Sequence, residues 1–115
     1  MAITKQNEVT EELGELRLAL GEIERLRFTK VISDVERLRL ETASVELRER
    51  ERVVIALAGE EIAAQIKASA ISLSDLSKRI KARTAKLSGL PKSLDKISVV
   101  ILEIIDIARR IDREI

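Results

Sequence analysis

At 115 residues, with 45% hydrophobic and 36% charged side chains, the chain has the length and mix of one folded domain, 1–115, and not of a disordered or membrane-embedded segment. It contains no Cys and no His, which removes a disulfide framework, a thiol nucleophile, the commonest general base and the commonest zinc ligand. A formal net charge of +1 supplies no global field to attract nucleic acid or an anionic membrane.

Aromatic content is 1%, a single Phe28, so the core must be built from Leu, Ile, Val and Ala. Four Gly and one Pro are too few turn signals for a many-stranded fold, and abundant Glu, Arg and Lys suit helices. The expected class is all-α: an antiparallel bundle of about four helices, two of them long, with coiled-coil character.

The first helix carries Val9, Leu13, Leu16, Leu20 and Ile23 at alternating spacings of four and three, an a/d heptad seam. Gly14 and Gly21 lie one heptad apart within it. Because a helical Gly costs roughly 1 kcal/mol against Ala, both are expected to mark close approach by another backbone. After Phe28 the apolar pattern resumes at Val31, Val35, Leu38 and Val45, and Ser33 with Glu36 forms a capping box that starts a second helix near Asp34. The alternative is one continuous helix from Thr4 to Ala70, a rod on the order of 100 Å that needs a partner along its seam.

Arg48, Glu49, Arg50, Glu51 and Arg52 are consecutive charges. A helix that is polar all round at this point is expected to project beyond its neighbours or bend, with helical pairs such as Glu46 and Arg50 in solvent. An Ala-rich apolar face follows through Val54, Ile55, Ala58, Ile62, Ile66 and Ala70, with Gly59 before Glu60 and Glu61 as a kink. Ser72, Ser74 and Asp75 mark a helix start. That helix continues through Leu73, Leu76, Ile80 and Leu87 to a stop at Ser88–Gly89, and Leu90–Pro91 opens the last helix.

The last helix is the most apolar. Ile97, Val100, Ile101, Ile104, Ile105, Ala108, Ile111 and Ile115 cover a broad face that Val99, Leu102 and Ile107 widen, against a polar side of Glu103, Asp106, Arg110 and Arg113. Such a helix is either central in a bundle or buried in an oligomer interface. Its apolar stretch from Ile97 to Ala108 is interrupted by Glu103 and Asp106 and is too short to span a bilayer. With an N-terminus lacking the apolar core of a secretion signal, the expected location is cytoplasmic.

Three constellations bear on function. Glu12 with Glu15, and Glu103 with Asp106, are carboxylate pairs at i, i+3, a spacing at which two acids share a divalent cation. Glu11-Glu12-Leu13-Gly14-Glu15-Leu16 resembles the first acidic motif of the all-α MazG-type nucleotide pyrophosphohydrolases, and Glu103-Ile104-Ile105-Asp106 resembles their second. That resemblance implies Glu12, Glu15, Glu103 and Asp106 as Mg²⁺ ligands. It covers about ten residues, and here most of the chain separates motifs that the family keeps on adjacent helices. Outside that reading no cofactor is implied.

The third helix carries Lys78, Arg79, Lys81, Arg83 and Lys86 against Asp75. Such a face tracks phosphates on nucleic acid, but without aromatics to stack bases or Asn and Gln to read them. The third constellation is the helix faces themselves. Val9, Leu13, Leu16, Leu20 and Ile23 on the first helix, and Val100, Ile101, Ile104 and Ile105 on the last, are the expected contact residues of an assembly module. Its expected partner is a second copy or another helical protein.

Overall fold

The computed structural model describes the backbone of residues 2–86 and 92–114, and side chains over 9–82 and 96–113. Five helices are present among them: α1 (Ala2–Arg27), α2 (Asp34–Ala58), α3 (Glu60–Gln65), α4 (Leu73–Lys86) and α5 (Lys92–Glu114). The all-α expectation holds, with three long helices where two were expected. The stop at Ser88–Gly89, the start at Leu90–Pro91, and Leu87 and Ile115 lie outside the described residues.

Each described boundary has a local cause. Ser33 is in an extended conformation and accepts from the Glu36 amide, while the Glu36 carboxylate accepts from the Ser33 amide. Two of the orphan donors at the start of α2 are thereby satisfied, and the 4–70 rod is excluded. Gly59 ends α2 at φ +90°, a conformation that side-chain-bearing residues rarely adopt, and α3 restarts immediately with Glu60 and Glu61 in its first turn. The Asp75 amide donates to the Ser72 hydroxyl at 3.2 Å, capping α4.

The three long helices run up, down and up. Arg110 near the end of α5 meets Glu36 at the start of α2, while Lys96 near its beginning meets Glu46 further along α2, so those two are antiparallel. Arg25 of α1 reaches Asp112 of α5 at 3.2 Å, and Glu12 and Ser98 line one cavity, so α1 and α5 are parallel. α4 packs on α1 and α5 at the end where Glu11 pairs with Arg79. The molecule measures 46 × 32 × 22 Å.

The hydrophobic core holds no aromatic side chain, and Glu15, Ser77 and Ser98 are buried beside it. Leu13, Leu16, Ala19, Leu20, Ile23 and Leu26 from α1 meet Leu40, Ala43, Leu47 and Val54 from α2. Ile101, Ile104, Ile105, Ile107, Ala108 and Ile111 come from α5, and Leu76 and Ile80 from α4. Full burial of each Leu or Ile contributes roughly 1.5–3 kcal/mol. Correctly read from sequence are the α1 and α5 seams. The second helix differs: Val35, Leu38 and Val45 stand in solvent at 63%, 63% and 60% exposure, and Val31, at 37%, lies in the turn before α2. The buried face of α2 is the opposite one, which the pattern also permits because both faces carry aliphatics at helical spacing.

The consecutive charges of 48–52 neither project nor bend. α2 is continuous there, and the stretch lies against α1 through ion pairs: Arg50 donates to Glu12 at 2.5 and 3.0 Å, and Arg17 pairs with Glu51 at 3.3 Å. Glu46 pairs across to Lys96 at 3.1 Å and not with Arg50. Charged residues meet the bundle here because α1 presents charges of opposite sign.

The two α1 glycines part ways. At Gly14 a Cβ would sit 3.4 Å from the Lys67 carbonyl oxygen and 3.6 Å from the Ser69 amide nitrogen. The Ser69 amide donates to the Gly14 carbonyl at 2.9 Å. The 67–69 segment therefore crosses α1 in contact with its backbone, as expected. At Gly21 nothing lies within 4 Å of a Cβ, so the close approach expected there is absent. Gly21→Ala should raise stability by about 1 kcal/mol through helix propensity alone, read as a higher urea midpoint. Gly14→Val should lower it by about 1–3 kcal/mol, because branched methyls displace the crossing strand.

Candidate functional site

Three arginines hold the helices in register. Arg17 of α1 donates to the carbonyls of Ala63, at 2.6 Å, and Ile66, satisfying the C-terminal end of α3, while its Nε meets Glu51 of α2. Arg50 of α2 makes a two-point contact with Glu12 of α1, a planar fork on a carboxylate. That hydrogen bonding raises the Arg50 guanidinium further above its already high ordinary pKa. Arg110 of α5 grips both oxygens of Glu36 and donates to the Val31 carbonyl at 2.8 Å. It thus ties the end of α5 to the capping box of α2. Hydrogen bonds from Arg110 lower the Glu36 carboxyl from 4.5 to about 2, with the Ser33 amide and hydroxyl adding to the effect.

None of these arginines stands out in the sequence as a site residue. Arg17 lies between Leu16 and Leu18, and a charge inside a leucine-rich turn is the one local signal that any of them gives.

Glu12 and Glu15 line one cavity with Leu16, Arg50, Ile80, Ile97, Ser98 and Ile101. Its volume is about 20 Å³, space for a single water molecule, whereas a nucleotide needs a pocket of roughly 300 Å³ or more. Glu15 is buried at 4% exposure and Ser98 at 7%. Glu103 and Asp106 are placed elsewhere. Glu103 pairs with Arg39 of α2 at 3.6 Å and lines a different groove, while Asp106 is exposed. The fold thus does not bring the two acidic pairs together, and among the described residues no group of three or more carboxylates gathers where it could hold a metal ion.

On α4, Lys78, Arg79 and Lys81 are exposed, with Arg79 pairing with Glu11. The side chains of Arg83 and Lys86 lie outside the described residues. Of the expected contact residues, Leu13, Leu16, Leu20, Ile23, Ile101, Ile104 and Ile105 are buried, and Val9 and Val100 are partly buried against the same core. All nine pack within their own chain.

Phe28, Val53, Leu57, Ile62 and Val99 are exposed at separate places, and the outer face of α2 carries a row of exposed aliphatics. Val35, Leu38, Thr42 and Val45 are exposed at spacings of three, four and three, a second seam on the side away from Leu40, Ala43, Leu47 and Val54. Beside it runs an open groove of about 280 Å³ between α2 and α5, lined by Leu38, Arg39, Thr42, Ala43, Glu46, Lys96, Val100 and Glu103. The Arg39–Glu103 and Lys96–Glu46 pairs bridge it. Val99, one turn from Lys96 and Glu103 on α5, is 61% exposed. Among the described residues no helix is long and apolar enough to cross a membrane.

A scan against protein-family models finds no match for the chain, and searches of curated proteins and of solved structures find none either.

The Arg110–Glu36 clamp has a pH signature. A carboxyl lowered in the folded state contributes stability that is fully present above its unfolded value and is lost as pH falls through its folded value. For Glu36 the loss therefore runs from 4.5 down through about 2. Arg110→Leu should reduce stability by about 1 kcal/mol at neutral pH, discounted because the guanidinium is partly solvated. Its deficit against the parent protein should shrink across that acid range in urea melts. A deficit independent of pH would contradict the clamp.

Proposed function

We propose that this chain is an assembly module that self-associates through a helix face. The observation that carries the reading is the second seam of α2. Its apolar residues Val35, Leu38 and Val45 stand at 60–63% exposure, while every seam residue of α1 and α5 is already occupied in the core. Isolated exposed aliphatics are ordinary, but aliphatics aligned at heptad spacing along one helix form a continuous stripe that another helix covers. Thr42 continues the stripe without breaking it, since its methyl packs and its hydroxyl donates to the Leu38 carbonyl at 3.0 Å.

The contact surface thus moves from the first and last helices to α2. A seam of about four residues is modest in area, so the reading is of a concentration-dependent complex.

Light scattering after size exclusion tests this directly. The parent chain should show a concentration-dependent mass rising above the 12.9 kDa of one chain. Val45→Glu should hold it at the monomer mass, with a melt that matches the parent's at concentrations too dilute for association, because the position is exposed. Ile104→Asp should instead unfold the chain, at a cost on the order of 4 kcal/mol or more for an unpaired charge in the core. A parent protein that stays monomeric at high concentration contradicts the proposal.

A further inference from the structure

We propose that the self-association partner docks α2 against α2 of a second copy, antiparallel about a two-fold axis passing between Ala43 and Ser44. The inference rests on the self-association reading and adds an orientation and a register to it, both fixed by charge.

Taking Val35 and Thr42 as a positions and Leu38 and Val45 as d positions, the stripe continues to Glu49 at a and Arg52 at d. The flanking e positions are Arg39, Glu46 and Val53, and the g positions are Asp34, Glu41 and Arg48, with Arg39, Glu46, Glu41 and Arg48 nearest the centre. A parallel pairing would set Glu49 on Glu49 and Arg52 on Arg52 across the seam, and Glu41 against Glu46 on its flank. Like charges facing each other at these sites oppose association.

Two antiparallel registers set a positions of one copy against d positions of the other; the first pairs aliphatic with aliphatic, the second is complementary in charge. In one, Val35 faces Val45 of the second copy and Leu38 faces its Thr42. That register places Arg39 against Arg39 and Glu41 against Glu41 across the axis.

Shifting by one heptad pairs Thr42 with Val45 at the centre. Leu38 then faces Glu49 of the second copy, and Val35 faces its Arg52, whose methylene stem covers the valine. In this register every central flank is complementary. Arg39 faces Glu46 of the second copy on one side, Glu41 faces its Arg48 on the other, and two-fold symmetry repeats both pairs.

The groove beside the stripe reinforces this register. Arg39 is bridged to Glu103 and Glu46 to Lys96 within each chain. Docking therefore links Lys96–Glu46 of one copy to Arg39–Glu103 of the other, a four-charge run of alternating sign on each side of the axis. Networks of this kind outperform isolated surface pairs because each side chain is already held by a neighbour. On the opposite flank Glu41 and Arg48 are exposed and make no ion pair among the described residues, so both are available to a second copy.

Charge reversal at that free pair reads the register without disturbing the fold. Sedimentation equilibrium on the parent, Glu41→Arg, Arg48→Glu and the combined variant should show each single change weakening the dimer by about ten-fold, with the combined variant within about three-fold of the parent. Melting curves should match at concentrations where all four proteins are monomeric. A second readout uses the absence of native cysteine: Thr42→Cys/Val45→Cys should form an intermolecular disulfide under mild oxidation, while Val35→Cys alone should not. A parent that never exceeds monomer mass overturns both the register and the self-association reading. A dimer that Val45→Glu abolishes, but that the charge variants leave unchanged or that the combined variant fails to restore, overturns the register and leaves self-association standing. A dimer that survives Val45→Glu overturns the α2 stripe as the contact.

Discussion

The aliphatic seam of α1 is the constraint on which the rest of the structure depends. Leu13, Leu16, Leu20, Ile23 and Leu26 stand in line on a 26-residue helix, and no single partner helix covers them together with Ala19 and the buried Gly14 and Glu15. Two long helices are needed, and α2 and α5 supply them from opposite directions. The absence of aromatics in this core makes the fit depend on helix spacing more than on any anchor side chain. Close packing of Leu against Ile holds only where the axes stay near their preferred separation. Gly14 lets the 67–69 crossing sit against α1 without prying the helices apart.

The arginine clamps act on top of this seam. Two lie where the chain changes direction, Arg110 at the entry to α2 and Arg17 at the exit from α3, and Arg50 joins the unbroken middle of α2 to α1. Individually such partly solvated contacts contribute on the order of a kilocalorie per mole, far less than the core. Their geometry matters more, since a forked guanidinium on a carboxylate or a pair of carbonyls admits few alternatives. The aliphatic core makes the bundle stable, and the clamps fix which register of it is adopted.

Much of this was legible in the sequence. Capping at Ser33 and Ser72, the break at Gly59 and the α1 and α5 seams follow from local rules that tertiary context did not override. The face of α2 was not legible. Val31, Val35, Leu38 and Val45 make as good a helical stripe as Leu40, Ala43, Leu47 and Val54, and periodicity alone is blind to which side the neighbours occupy. The position of Arg48–Arg52 against α1 is hidden from local pattern for a related reason. A polar stretch can lie inside a bundle when its neighbour carries opposite charges, and Glu12 and Arg17 sit on a different helix, too distant in sequence to be read as partners. The acidic pairs resembled a metal motif because glutamates at i, i+3 are common to charged helices. Here Glu12 is clamped by Arg50 beside a water-sized cavity, Glu103 lines a separate groove, and Asp106 is exposed.

The same ambiguity of α2 that misled the sequence pattern supplies the functional reading. A helix with two apolar faces can satisfy its own bundle with one and offer the other outward. This division of labour requires that the α1 and α5 seams be closed inside a single chain. Amide hydrogen exchange at dilute and concentrated protein tests that requirement most directly. The account predicts that protection of the Leu13–Leu26 and Ile101–Ile111 amides is high and independent of concentration. Protection in those two segments that disappears on dilution would contradict it, and would make those seams, and not the outer face of α2, the surfaces that join one copy to another.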